Sequence, residues 1–195
     1  MLIDRKRTMK KLIFTMFVCL CVYGYAIGIG MVGANGNGSV VIISHAYLDP
    51  NGDVSITWNR TTGPDYNYQD IDDGIRPPSE PGADRVYIQA PATSDDVYDM
   101  EAAPSGATVT IIKIWVYGEM YPGAATSIDL NIGGGWEGAS SLGFTDSVKS
   151  WESVTFTGSW SEAQVNAMQV KLLKTAGAGA YPDIWEITAY ITYTN

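Results

Sequence analysis

The stretch IWEITAYITYT (184–194) alternates apolar and polar residues from Trp185 to Tyr193. Successive side chains of a β-strand point to opposite faces, so this period of two predicts a strand with one buried face. The same alternation occurs in five other segments, whose apolar members are Val54, Ile56 and Trp58; Val86 and Ile88; Ile128, Leu130 and Ile132; Val154 and Phe156; and Met168, Val170 and Leu172. The chain is therefore expected to consist mainly of half-buried β-strands.

Turn-forming clusters separate these segments. DPNGD (49–53), YPG (121–123), GGGWEG (133–138) and TAGAGAYPD (175–183) contain the Gly, Pro, Asn and Asp residues that favour turns. Helical patterning is confined to SEAQVNA (161–167), where Ser161 and Gln164 fit a capping box. Short strands with such spacing predict an all-β fold, namely an antiparallel β-sandwich of jelly-roll type with one short helix.

The amino-terminal segment predicts export. Five basic residues within positions 5–11 precede an apolar run (12–34) that ends in the small residues Val32, Gly33 and Ala34. This order is typical of a signal peptide, which we place at residues 1–34 with cleavage after Ala34. An uncleaved membrane anchor is the alternative, because the apolar run is long. The mature protein is thus expected to be secreted, extracellular or at the cell surface, without membrane contact after cleavage.

Removal of residues 1–34 changes the composition. Five of the 12 Lys+Arg and one of the 21 Asp+Glu lie in this segment, so residues 35–195 carry 7 basic and 20 acidic side chains, a net charge of −13. Cys19 and Cys21 are also removed, so a hydrophobic core rather than a disulfide must stabilise the domain. A chain this acidic repels phosphate backbones, and nucleic-acid binding is not expected.

The segment SVVIISHAYL (39–48) has no polar face. Burial of an aliphatic side chain stabilises a fold by about 1.5–3 kcal/mol, so both faces of this strand are expected to be covered. We divide the mature chain into this amino-terminal strand (35–49) and a sandwich domain (50–195). The strand either lies inside its own sandwich or is donated to a neighbouring subunit. Donation would use Val40, Val41, Ile42, Ile43, Tyr47 and Leu48.

Catalytic groups are sparse. His45 is the only histidine, and it lies inside the apolar strand. A Ser/His/Asp triad would have to use this histidine. Cys/His catalysis and zinc binding need further cysteine or histidine residues, which the mature chain lacks. Acidic residues are plentiful, but they cluster in loops without a glycosidase motif. We therefore expect no enzymatic activity and interpret His45 as structural.

Two acidic clusters are candidate calcium sites, because Ca²⁺ takes oxygen ligands from loops. Asp49, Asn51 and Asp53 have the D-x-N-x-D spacing, but the glycine and the closing glutamate of a calcium loop are missing. A plain hairpin turn is the alternative for this cluster. The second cluster comprises Asp70, Asp72 and Asp73, for which a solvated loop is the alternative. No other cofactor is expected.

Several aromatic residues are candidates for sugar stacking. Trp136 lies in a glycine-rich turn, and Tyr66 and Tyr68 lie in a long proline-containing segment, so their rings can meet the apolar face of a sugar. Packing over a sheet edge is the alternative for Trp136. The tryptophans expected in the core are Trp58, Trp115, Trp160 and Trp185. Two asparagines, Asn37 and Asn59, match the glycosylation sequon.

Four stretches resemble a family of β-sandwich domains. They are WNRTTGPDYNYQDIDD (58–73), DRVYIQAPATSDDVYDMEAAPSGATVTIIKIWVYGEM (84–120), WESVTFTGSWSEAQVNAMQVKL (151–172) and IWEITAYITYT (184–194). Members of that family recur in bacteriophage virion and tail-associated proteins and in exported proteins of bacteria and archaea. The resemblance covers about residues 58–195 and implies a jelly-roll-like sandwich with a structural or surface-binding role. The export signal departs from the phage members and favours a surface polymer or adhesin.

These observations lead to two functional expectations. The first is a secreted structural surface protein, the subunit of a filament or pilus-like homopolymer assembled by strand donation, which explains the apolar leading strand. The alternative is a carbohydrate-binding or adhesive module for cell-surface glycans, with or without stabilising calcium, which explains the aromatic residues in loops.

Overall fold

The computed structural model describes residues 28–34, 40–55, 57–60, 71, 74–81, 85–87, 94–123, 125–176 and 182–195. Within these ranges the elements are β1 (Gly28–Ala34), β2 (Val40–Leu48), β3 (Pro50–Ser55), β4 (Asn59–Arg60), β5 (Val86–Tyr87), β6 (Ser94–Met100), β7 (Thr108–Met120), β8 (Ala125–Ile132), β9 (Gly135–Trp136), β10 (Ser140–Ser141), β11 (Ser150–Ser161), α1 (Glu162–Asn166), β12 (Gln169–Ala176) and β13 (Pro182–Thr194). The chain is built from strands, as its alternating sequence predicts.

The strands form two antiparallel sheets. In sheet A, β2 lies beside β13, β13 beside β7, and β7 beside β11. Strand β1 adds to the other edge of β2, while the short strands β5 and β4 continue the sheet beside the start of β13. In sheet B the order is β3, β6, β12 and β8, and the far edge of β8 pairs with both β9 and β10.

The strand order is that of a jelly roll. Its eight strands, in chain order, are β2, β6, β7, β8, β10, β11, β12 and β13. Sheet A contains the first, eighth, third and sixth of these strands, and sheet B contains the second, seventh, fourth and fifth. The first strand therefore pairs with the last, as in the two Greek keys of a jelly roll. The predicted antiparallel β-sandwich of jelly-roll type is confirmed.

The two sheets enclose one apolar core. Sheet B contributes Ile128, Leu130 and Ile132 from β8 and Val170 and Leu172 from β12, while sheet A contributes Ile112, Ile114 and Val116 from β7 and Ile187, Ala189, Ile191 and Tyr193 from β13. Each large buried aliphatic side chain stabilises the fold by about 1.5–3 kcal/mol. The apolar residues whose alternation predicts these strands therefore also stabilise the packing of the two sheets when they are buried.

Trp185 is buried, as the sequence predicts, and is only 2% exposed, but it lies outside the apolar cluster between the two sheets. The register of β13 against β7 shifts between Ile184 and Glu186, which marks a β-bulge. Ile184 belongs to the core, whereas Trp185 packs against Tyr117, with ring centroids 6.2 Å apart. An extra residue in a strand reverses the faces of the residues that precede it, so the period of two fails at this point.

Trp115 also lies outside the core, on the outer face of sheet A. It is half-buried there, with its ring centroid 6.5 Å from that of Trp151. Segment 74–81 packs against the same face, and Trp151 Nε1 donates a hydrogen bond to the carbonyl oxygen of Ser79 (2.8 Å). This aromatic layer explains why β7 is apolar on both faces. The other two tryptophans expected in the core, Trp58 and Trp160, are found there.

Strand β2 pairs within its own chain. Residues 43–48 lie opposite residues 189–194 of β13, and Leu48 is fully buried in the core. On the outer face, Tyr47 contacts Tyr190 with ring centroids 5.0 Å apart. The ring of His45 stacks on Tyr190, and its Nδ1 is hydrogen-bonded to Thr192 Oγ1 (3.1 Å). These contacts agree with a structural role for His45.

The start of β2 is not covered, contrary to expectation. Val41, Ile42 and Ile43 are 40%, 46% and 39% exposed. Strand β13 ends opposite Ile43, so the start of β2 extends beyond its β13 neighbour in sheet A. The backbone of Val40 lies in the same overhang, and its side chain is outside the described part. Donation of β2 to another subunit stays a prediction, and the pairing within the described chain does not require it.

Strand β1 lies within the predicted signal peptide. It pairs with residues 40–45 of β2, so cleavage after Ala34 would remove β1 and leave β2 as the edge of sheet A. Residues 1–27 are outside the described ranges, and both the signal and the anchor alternative stay predictions. No helix of the described part is long and apolar enough to cross a membrane.

The DPNGD segment does not form a hairpin turn. Only Asp49 separates β2 of sheet A from β3 of sheet B, so the chain crosses between the sheets here. The Asp49 carboxylate is paired with the guanidinium of Arg76. Asn51 and Asp53 lie along the extended strand β3. Calcium takes six to eight oxygen ligands, and the site predicted at these three residues stays a prediction.

The predicted capping box is confirmed at the start of α1. Ser161 Oγ accepts a hydrogen bond from the Gln164 backbone N–H, and the Gln164 side chain accepts one from the Ser161 backbone N–H. The helix ends after five residues and joins β11 to β12. Asn166 Oδ1 accepts a hydrogen bond from the backbone N–H of Ala103 (2.7 Å), which attaches the helix to the loop before β7.

Candidate functional site

Trp136 lies at the end of a tight hairpin between β8 and β9. The two turn residues, Gly133 and Gly134, have φ of +65° and +88°. A two-residue turn with positive φ at both positions is a type I′ turn, which glycine adopts without strain. The turn sets Trp136 directly opposite Asn131 on β8. Because paired residues share a face, the hairpin carries the indole onto the outer face of sheet B.

A charged pair positions the indole. Trp136 is 42% exposed, and Lys171 Nζ lies 3.9 Å from the centroid of its ring. The same ammonium lies 3.7 Å from Asp129 Oδ2, while Asp129 Oδ1 accepts a hydrogen bond from the backbone N–H of Gly138 (2.9 Å). A cation over an indole face is attracted by the negative face of the ring. Lys171 therefore covers one face of Trp136, and a ligand would stack on the opposite face.

Trp136 begins a row of four residues that we call the polar row. It runs across β9, β8, β12 and β6 as Trp136, Asn131, Gln169 and Asp99, each opposite the next in the sheet register. Asn131 Nδ2 donates to Gln169 Oε1 (3.2 Å), and Gln169 Nε2 donates to Asp99 Oδ1 (3.0 Å). Neighbouring strands are about 4.8 Å apart, so the row extends for roughly 14 Å.

Two further rows flank the polar row on the same face. The second contains Asp129, Lys171 and Val97, and the third contains Ser127, Leu173 and Asp95. The three rows together contain three carboxylates, those of Asp95, Asp99 and Asp129, and one ammonium, that of Lys171. This ammonium is already paired with Asp129. The outer face of sheet B therefore carries an excess of negative charge around a mainly neutral hydrogen-bonding row.

The polar row is suited to non-covalent binding. Asn131 and Gln169 each have amide donors and acceptors beyond the bonds between them, and Asp99 has a second carboxylate oxygen. Groups of this kind beside an exposed flat ring match a ligand that carries both hydroxyl groups and an apolar face. Across the described ranges, no three His, Cys, Asp or Glu side chains converge as a metal site.

Several predicted site residues cannot be placed. Tyr66, Tyr68, Asp70, Asp72, Asp73 and Asn37 all lie outside the described residues. Asn59 is in strand β4 at the end of sheet A, where only its backbone is described. The sugar-stacking role of the two tyrosines, the second calcium cluster and the two glycosylation sites therefore stay predictions.

The sequence reading did not identify the partners of Trp136. Asn131 and Gln169 occupy polar positions in two of the alternating segments, whereas Asp99 lies in β6, which is not one of those segments. The signal was present, because the same period of two that turns Ile132 and Val170 inwards turns their polar neighbours outwards. What the pattern does not contain is the order of the strands, which brings the three residues side by side.

Comparison with known proteins gives no family. No family model matches the chain, and no curated protein matches it. Among solved structures, a protein described as "Family 16 Carbohydrate Binding Module-2" aligns with a TM-score of 0.39 and 13% sequence identity, over 55% of this chain and 77% of that chain. A likeness this distant carries no argument about function. The resemblance to phage and exported β-sandwich proteins stays a prediction.

Proposed function

We propose that this protein is a glycan-binding domain whose ligand lies on the polar row of sheet B. One observation carries the proposal, namely the alignment of an exposed indole with three hydrogen-bonding side chains on adjacent strands. A pyranose has an apolar face of C–H groups and a rim of hydroxyl groups. Trp136 would stack on that apolar face, and Asn131, Gln169 and Asp99 would bind the hydroxyl groups.

The rigidity of the site supports this proposal. The side chains of the polar row are held by bonds to one another, and the indole is held by Lys171. Binding sites whose groups are already ordered lose less conformational entropy when a ligand binds. We place the domain outside the cell because of the predicted signal, so its ligands would be extracellular or cell-surface glycans.

The filament role has no comparable support. The strand that would be donated, β2, is used in sheet A of its own chain, where Leu48 fills the core. A donated strand gains its affinity from main-chain hydrogen bonds and side-chain pockets in another subunit. Residues 43–48 already make their main-chain pairs with β13.

The proposal is tested by measuring glycan binding of the wild type and of Trp136→Ala by titration calorimetry against soluble polysaccharides. We expect the wild type to bind and the variant to bind at least about tenfold more weakly, which corresponds to about 1.4 kcal/mol. Val148→Ala is the control, because Val148 is 50% exposed and lies between β10 and β11. It should bind like the wild type.

Two results would contradict the proposal. One is a wild-type protein that binds no glycan, and the other is a Trp136→Ala variant that retains full affinity while folded. A parallel titration in EDTA tests the expectation that calcium stabilises the domain, since chelation would then weaken both binding and folding.

A further inference from the structure

We infer that the site selects uncharged glycan segments of about three sugar units laid across the strands of sheet B, and that it rejects polyanionic glycans. This inference rests on the proposed glycan-binding function and adds the ligand class, its length and its direction.

The direction follows from the register. The four members of the polar row lie on four neighbouring strands, so they form a line perpendicular to the strands. The next outward residues along β12 and β8 are Lys171 and Asp129, which are charged and paired with each other, and the next along β6 is Val97. A ligand that follows a strand would therefore pass from the polar row onto this ion pair or onto Val97, whereas a ligand that crosses the strands meets one member of the polar row per strand.

The length follows from where the row ends. Trp136 lies on β9 at one edge of the sheet. On the other side of Asp99, the next strand presents Gly52, which has no side chain to offer a ligand. The functional groups therefore extend over three strand spacings, roughly 14 Å, which accommodates about three pyranose units. Longer oligosaccharides would extend past the row without new contacts.

The charge preference follows from the groups on the face. Asp99 is an exposed carboxylate within the polar row, and Asp95 and Asp129 lie in the adjacent rows. Among the described residues of this face, the one cation is Lys171, which Asp129 and the indole already engage. A uronate carboxylate beside Asp99 would meet a like charge without a free cation to compensate, and such juxtaposition is unfavourable.

The experiment is a calorimetric titration of the wild-type protein with two matched series. The first contains neutral β-1,4-linked gluco-, manno- and xylo-oligosaccharides of two to six units, and the second contains oligogalacturonates of the same lengths. We expect affinity for at least one neutral series to rise up to three or four units and then to stay level. We expect the oligogalacturonates to bind at least tenfold more weakly at low salt, and this gap should narrow as salt is added.

Asp99→Asn separates charge from shape, because it retains a hydrogen-bond acceptor in the same place. In this variant the ratio of neutral to oligogalacturonate affinity should fall several-fold relative to the wild type, because the like charge that faces a uronate is removed. Asp146→Asn is the matched control, since it removes an exposed carboxylate from the connection between β10 and β11 and should change neither series.

The outcomes are distinguishable. Oligogalacturonate binding equal to or tighter than neutral binding would overturn the charge preference while leaving the glycan-binding function in place. Affinity that keeps rising from four to six units would overturn the proposed length. If neither series nor any soluble polysaccharide binds, the proposed function is wrong and this inference falls with it.

Discussion

Asp183 is the buried carboxylate at the start of β13. It is 1% exposed, and its Oδ2 lies 3.3 Å from Nη1 of Arg85. Burial raises the pKa of the Asp183 carboxyl above its ordinary value, the charge of Arg85 opposes this rise, and the nearby Glu119 adds to it. The ionised carboxylate is therefore less favourable in the folded chain than in the unfolded chain.

The sign of this shift gives a pH prediction for Asp183→Asn. Below the pKa of Asp183 in the unfolded chain, about 3.9, the carboxyl is protonated in both states and its full contribution to the free energy of unfolding is present. This contribution is lost as the pH rises through the higher pKa of Asp183 in the folded chain. Asparagine keeps the shape and does not titrate. We expect the free energy of unfolding of the wild type, relative to the variant, to fall as pH rises from about 4 towards neutrality. Urea denaturation at several pH values measures this difference.

The control for this prediction is Asp146→Asn, which replaces an exposed carboxylate. Its stability difference from the wild type should vary much less with pH. A flat difference for Asp183→Asn, or one of opposite slope, would show that the environment of Asp183 does not disfavour its charge.

For Lys174, the residue type and the position in the strand lead to opposite predictions of burial. It continues the inward series of Val170 and Leu172 on β12 and is 1% exposed. Burial lowers the pKa of the Lys174 ammonium. A lysine is almost never fully buried unless it is paired, so its chemistry predicts the surface although its position in the strand predicts the interior. The position in the strand determines the burial of Lys174, because one side chain cannot change face unless its neighbours in the strand change face as well.

Among the elements, β2 combines a buried end with an exposed end. Leu48 is fully buried, while Ile42 is 46% exposed in the overhang. We expect Leu48→Ala to lower the free energy of unfolding by about 2–5 kcal/mol, because it leaves a cavity in the core. Ile42→Ala should change it by no more than about 0.5 kcal/mol. Chemical denaturation of both variants checks the contrast.

This contrast also tests where β2 belongs. If β2 were donated to another subunit, both substitutions would act on assembly, and the stability of each variant would depend on protein concentration. Similar losses for Leu48→Ala and Ile42→Ala would likewise contradict the pairing of β2 in its own sandwich.

The elements differ in how well the sequence predicts them. Strands β8 and β12 and the capping box of α1 follow directly from local patterns. The expected strand from Val54 to Trp58 does not: β3 ends at Ser55, Val54 is 49% exposed, and Trp58 is buried. Edge strands such as β3 have one neighbour, so their ends depend on that neighbour more than on their own pattern.

For the whole molecule, the pairing of the first and last jelly-roll strands makes the domain self-contained. Strand β13 lies between β2 and β7 in sheet A, so β2 and β13, which are far apart in the sequence, contribute to one core. We therefore expect the purified mature protein to appear as discrete particles in electron microscopy, with the mass of a single chain by light scattering. Regular filaments would contradict this prediction and restore the strand-donation model.

The local pattern of this sequence determined most of the strands, the sandwich and the position of Trp136 beside a glycine turn, because period-two alternation and turn chemistry are properties of a few consecutive residues. It did not determine the polar row, whose hydrogen-bonded members Gln169 and Asp99 are 70 positions apart. It also did not determine the bulge that packs the buried Trp185 against Tyr117 and not between the two sheets. Only the tertiary structure decided these features, since the neighbours of a strand are chosen by how the whole jelly roll buries its apolar faces.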